Sequence, residues 1–131
     1  MSFVPMTAGG SRMTETVLWE NSTPSASFSA NTAALSFYIN TFDYIKVVYR
    51  RVYNDSTDIG TVIYPVSFFV TTALGNAKNN CLIGTRGTSY IYYRVFYRYS
   101  DDSIRFGDAY NTNGATVNGY LIPVQIIGIK T

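Results

Sequence analysis

The chain has 131 residues, of which 47% are apolar, 16% aromatic and only 14% charged, and its net charge is +2. It contains no histidine, one cysteine and eight Asp and Glu together. That inventory withholds most parts of an acid–base pair, a metal cluster or an activated nucleophile, and so small a charge argues against a nucleic-acid partner.

A chain of this length forms one domain and buries roughly two-thirds of its unfolded surface. Its charged fraction lies well below the ~25% of ordinary soluble domains, which leaves a surface of Tyr, Thr, Ser and Asn. Such a surface suits burial in an oligomer or recognition of polar, uncharged groups. Cys81 has no partner for an intrachain disulfide and, between Asn80 and Leu82, reads as a small buried hydrophobe. No run reaches the ~18 apolar residues of a transmembrane helix, and residues 1–10 lack the regions of a secretory signal. The expectation is a soluble protein, made in a cytoplasm and not inserted in a membrane.

In chain order, residues 1–13 carry no periodicity and read as a flexible lead-in to a single domain at 14–131. Residues 14–20 alternate as a strand, with Trp19 as a core anchor. The small-residue tract around Phe28 is turn-forming. A short strand is predicted at 34–38, with a helix as the alternative. Residues 42–53 make the first long strand, on which Ile45, Val47 and Tyr49 share a face. Residues 54–60 supply hairpin-loop chemistry, and 62–72 form the return strand, with Val62, Tyr64, Val66, Phe68 and Val70 on one face. Pro65 implies an edge position or a bulge there. A turn at 75–80 precedes a strand at 81–85. The longest strand is 88–100, Asp101-Asp102 turns the chain into a strand at 103–110, and Asn113-Gly114 is the strongest hairpin signal. An apolar strand at 120–130 closes the chain. The pattern predicts an all-β fold, an antiparallel β-sandwich or jelly roll of about eight to nine strands.

Three segments resemble a known family. Val17-Leu18-Trp19-Glu20-Asn21-Ser22-Thr23-Pro24, followed by Phe28, is similar to the opening of many phage tail-fibre C-terminal domains. Phe42-Asp43-Tyr44-Ile45-Lys46-Val47-Val48-Tyr49 resembles one of their strands, and Leu121-Ile122-Pro123 through Gly128-Ile129-Lys130 resembles their terminal strand. The resemblance spans residues 17–130. It implies a receptor-binding or fibre-tip domain of a tailed phage or prophage, homotrimeric, exposed on the virion and joined to other phage tail proteins. It supplies no catalytic motif, and the chain lacks the long shaft of a complete fibre.

The strand at 90–99 carries the main candidate chemistry. Alternation puts Tyr90, Tyr92, Arg94, Phe96 and Arg98 on one face and Ile91, Tyr93, Val95, Tyr97 and Tyr99 on the other. Aromatic rings stack on the apolar faces of sugars, and Arg forks meet sugar hydroxyls or carboxylates. Tyr90, Tyr92, Arg94 and Arg98, with Arg86 in the preceding loop, are therefore the candidate ligand residues. The same residue types also suit a subunit interface. The loops at 54–60, 75–80 and 111–118 are further candidates.

Asp101, Asp102 and Asp108, or Asp55 and Asp58, could in principle offer oxygens to Ca²⁺, but turn chemistry explains them as well. Pairs such as Glu15 and Glu20 could be proposed for glycoside hydrolysis, without anything to single them out. Gly84-Thr85-Arg86-Gly87 is not followed by a helix and so fails as a phosphate cradle. No catalytic residue, metal or cofactor is expected. The reading is non-catalytic recognition of a host cell-surface saccharide. A structural trimerisation or capping module is the first alternative, and a polysaccharide-degrading enzyme the last.

Overall fold

The computed structural model describes residues 13–70 and 80–131. Among the described residues, eight strands form two antiparallel sheets of four, packed as a β-sandwich. Strands β1 (Thr14–Glu20), β3 (Tyr44–Val52), β4 (Ile59–Pro65) and β8 (Tyr120–Lys130) make one sheet, in the order β1-β8-β3-β4. Strands β2 (Asn31–Ala34), β5 (Cys81–Arg86), β6 (Ile91–Ser100) and β7 (Ser103–Asn111) make the other, in the order β2-β7-β6-β5. Hairpins join β3 to β4, β5 to β6 and β6 to β7, while the remaining connections cross between sheets. Of the expected lead-in at 1–13, return strand at 62–72 and turn at 75–80, residues 1–12, 71–72 and 75–79 lie outside the described residues.

Alternation accounts for the core. Ile45 and Val47 on β3, Leu18 on β1 and Ile126 on β8 bury their side chains against Ile83, Phe96, Ile104 and Phe106 from the second sheet. Each such side chain contributes about 1.5–3 kcal/mol by leaving water. Trp19, expected as an anchor, packs half-buried on this core with its ring 5.9 Å from Phe106. Phe28, Phe106, Phe96 and Tyr64 continue the aromatic contacts at centroid separations of 5.6–5.8 Å. The Tyr64 hydroxyl also accepts the Leu82 N–H at 3.0 Å, tying edge strand β4 to edge strand β5.

Three expected elements differ. The return strand stops at Pro65 on the sheet edge, as that residue implied, but Val66–Val70 is a short α-helix rather than more strand. Among the described side chains there, Val66 and Phe69 are buried, at helical spacing, and Phe68 is exposed. The short strand lies at Asn31–Ala34, four residues before a 3₁₀ turn at Ile39–Thr41, and not at 34–38. Asn113-Gly114 does turn the chain, with Gly114 at φ +85° and its N–H donating to Asn111 O at 3.0 Å. It makes no β7–β8 hairpin, because β8 belongs to the opposite sheet and the only return pairing is the bridge Tyr110–Thr116.

The largest buried side chain is Arg94, fully enclosed on the inner face of β6. Its Nη1 donates to Gly107 O at 2.7 Å, its Nε to Leu121 O at 2.9 Å and its Nη2 to Tyr120 O at 3.1 Å. The guanidinium carbon stands 5.1 Å from the centre of the Phe28 ring. Burial lowers this group to about 10, with Asp108 acting in the opposite direction, so it remains charged at neutral pH. Leu121, which it grips, has φ +56°, a conformation that costs a non-glycine residue about 1–2 kcal/mol. That left-handed step breaks alternation and lets both Leu121 and Ile122 be buried. Replacing Arg94 by Met should lower the unfolding free energy by about 3 kcal/mol, because one buried and two part-buried carbonyls lose their donor together. Urea unfolding measures this; a loss below about 1 kcal/mol would contradict the assignment.

Candidate functional site

The structure separates the five candidate residues into three places along the sandwich. Arg94 lies in the core, where its donors are spent on backbone carbonyls, so it presents no surface to a ligand. Arg98 sits towards the opposite end, its Nη1 3.2 Å from Asp101 Oδ1 in the β6–β7 turn. Arg86, Tyr90 and Tyr92 gather at one end, around the turn from β5 to β6. The row Tyr90, Tyr92, Arg94 and Phe96 therefore runs from an exposed rim into the fully buried core. The outward face of β6 carries Ile91, Tyr93, Val95, Tyr97 and Tyr99, the set that alternation placed opposite the candidates.

Three connections meet at this end. The β5–β6 turn closes with the Gly87 N–H donating to Tyr90 O at 2.8 Å. The β3–β4 loop is organised by Asp55, whose Oδ1 accepts the Thr57 N–H, the Thr57 hydroxyl and the Asp58 N–H. Those bonds from Thr57 come first among the causes that hold the Asp55 carboxyl below its ordinary value. The β7–β8 connection is organised by Asn111, whose side-chain oxygen accepts the Asn113 and Ala115 N–H groups at 3.0 Å. It is tied to its neighbours by Thr112 N–H to Ile91 O and Tyr53 N–H to Gly119 O, both 3.0 Å.

Between these loops lies a depression of about 430 Å³, lined by Arg51, Thr85, Arg86, Thr88, Tyr92 and Tyr120. A second one of about 400 Å³ adjoins it across Arg86, with Tyr90, Ile91 and Thr112 on its far side. Tyr92 and Tyr120 stack across the two sheets with centroids 4.3 Å apart and planes 4° from parallel. Gly87 makes room for this: a Cβ there would come within 2.4 Å of the Tyr92 ring. Burial and the hydrogen bond to Tyr120 raise the Tyr92 phenol above its ordinary value, so it is a neutral donor at pH 7. Arg51 is held at the rim by a 2.8 Å ion pair from its Nε to Asp58.

Sequence reasoning missed Tyr120 and Arg51. Tyr120 follows a glycine and opens an apolar strand, with no local mark of its role. Arg51 is the last residue but one of β3 and shares the alternation of Ile45, Val47 and Tyr49, which reads as inward.

All eight Asp and Glu side chains are engaged, Asp58 with Arg51 at the rim of the depression itself. Glu15 pairs with Lys46, Glu20 with Gln125, Asp58 with Arg51 and Asp101 with Arg98. Asp43 accepts from Thr131, Asp55 from Thr57, Asp102 from Ser100 and Asp108 from Ala30 and Asn118. None lines the depression at this end. Among the described residues no three His, Cys, Asp or Glu side chains stand together as metal ligands. No family model matches the chain, and no curated protein matches it.

Cys81 is fully buried, as expected of a small hydrophobe, and burial pushes its thiol up to about 12. Native protein should therefore resist thiol reagents at pH 8 and react only on unfolding. Labelling of the folded protein at the rate of a free thiol would contradict this.

Proposed function

We propose that this domain is the receptor-binding tip of a tailed-phage or prophage tail fibre, recognising a host cell-surface saccharide without catalysis. In this reading it is made in the host bacterial cytoplasm and carried on the virion as a homotrimer beside other tail proteins. The observation that carries the reading is the convergence of Arg86, Tyr90 and Tyr92 with Tyr120 and Arg51 around one open end of the sandwich. Hydroxyls, guanidinium forks and aromatic surface in one shallow depression are the chemistry a sugar requires. The resemblance of residues 17–24, 42–49 and 121–130 to fibre-tip domains supports the viral assignment. The engagement of every carboxylate favours binding over hydrolysis.

The experiment is binding of the labelled domain to susceptible bacteria and to a glycan array, with Arg86→Ala and Tyr92→Ala variants. Loss in both variants, with folding intact by circular dichroism, is the expected outcome. Binding equal to wild type in both would remove the depression from the site.

The structural-module alternative draws on the outer face of the first sheet. Cross-strand register places Val17, Ile127, Lys46 and Ile63 in one row and Glu15, Ile129, Tyr44 and Pro65 in the next, with Lys46 and Glu15 paired across the rows. Ile63 is 51% and Val17 44% exposed, a pattern suited to a subunit contact. Light scattering should find a trimer at micromolar concentration and a monomer for Ile63→Glu. A monomeric wild type would sink the trimer.

A further inference from the structure

We infer that the depression between Arg51 and Arg86 takes a carboxylate-bearing sugar, a sialic or uronic acid, in preference to a neutral one. The inference rests on the saccharide reading above and adds the charge of the ligand to it.

The first ground is the composition of the lining. It offers two guanidinium groups, the hydroxyls of Thr85 and Thr88 and two phenols, but no carboxylate. The adjoining depression shares Arg86 and adds Ser89, Tyr90 and Thr112, again without an acid. Asp58, just outside the lining, balances Arg51, which leaves Arg86 as the cation of this lining with no ion-pair partner among the described residues.

The second ground is how the two arginines are engaged. Arg51 is fixed by Asp58, and its Nε is taken. Arg86 makes no ion pair or side-chain hydrogen bond among the described residues. It adjoins a turn whose backbone is closed by the bond from Gly87 to Tyr90. An unpaired guanidinium carried on the last residue of β5, beside that closed turn, can meet a carboxylate with two parallel hydrogen bonds. A neutral sugar would leave that fork in water and gain only ordinary hydroxyl contacts.

The third ground is the rest of the surface of the depression. The Tyr92 hydroxyl is spent on Tyr120, and the two stacked rings give apolar area in the same lining as Arg86. Volumes of about 430 and 400 Å³ on either side of Arg86 fall at the small end of ligand sites. They suit a monosaccharide with its neighbour, the carboxylate directed at Arg86 between them.

The test is a titration of the ¹⁵N-labelled full chain with sialyllactose and with methyl glucuronide. Lactose serves as the neutral counterpart and inorganic phosphate as the bare anion. One acidic sugar or the other should shift the Gly87 and Thr88 amides and the Arg86 Nε–H, while lactose leaves them in place. Arg86→Gln should weaken that binding about tenfold, the equivalent of one charge-assisted hydrogen bond, and Arg98→Gln at the far end should not. Equal shifts with lactose would overturn the charge preference and leave saccharide recognition standing. Equal shifts with phosphate would reduce the site to an anion patch. Silence at the tip with both acidic sugars, while wild type and Arg86→Gln bind cells alike, would overturn this inference alone. A wild type that binds neither cells nor any glycan would overturn the saccharide reading with it.

Discussion

A buried cation without a buried anion is the constraint on which this structure turns. The ordinary solution for an interior arginine is a carboxylate, yet Arg94 is satisfied by three carbonyls, two of them on the opposite sheet. That choice couples the sheets through directional bonds, as the Tyr64 hydroxyl does between β4 and β5 at the sandwich edge. It also fixes the first two residues of β8, so the left-handed turn at Leu121 is held by the donor it presents its oxygen to. Asp108 adds to the same region from β7. It accepts from Ala30 and Asn118, and those bonds keep its carboxyl below the ordinary 3.8, Arg94 adding a weaker pull.

The open end inherits its order from this arrangement. Tyr120 is positioned by its carbonyl bond to Arg94 below and by its pairing with Val52 beside it. Its ring in turn lies flat on Tyr92, two residues along β6 from Arg94 on the same face. Arg94, chosen from the sequence as a ligand contact, thus serves the site from beneath, holding the strand that carries one of its walls. The loops around the depression close on themselves through Asp55, Asn111 and Gly87, and they require little from the core.

Much of the architecture was legible because strands with one buried face declare themselves. Ile45 and Val47 on β3, and Ile104 and Phe106 on β7, alternate with less buried residues as the period of two requires. The helix at Val66–Val70 was not legible, since Val-Ser-Phe-Phe-Val fits either period over five residues. Alternation grouped Tyr92, Arg94 and Phe96 correctly but could not say which face is the interior. An arginine mid-row argues for the solvent side, and its partners at Tyr120 and Leu121 lie 26 and 27 positions away. Of the candidate site, Tyr90 and Tyr92 were legible only in a row with Arg94 and Arg98, and Arg86 only as a separate residue of the preceding loop; that they meet follows from the β5–β6 turn. Tyr120 and Arg51 join them only through tertiary packing, which carries no local signal.

The pairing of β1 with β8 has a mechanical consequence. Thr14 lies opposite Lys130, so the first strand enters and the last one leaves side by side at the end farthest from Tyr120 and the depression. A pull applied through Thr14 against a ligand held at the other end runs along β1, parallel to its neighbour. All the hydrogen bonds between β1 and β8 then share that load at once, rather than opening one after another. The edge strand that is exposed to solvent is, under tension in this direction, loaded in shear, the geometry in which a sheet yields last.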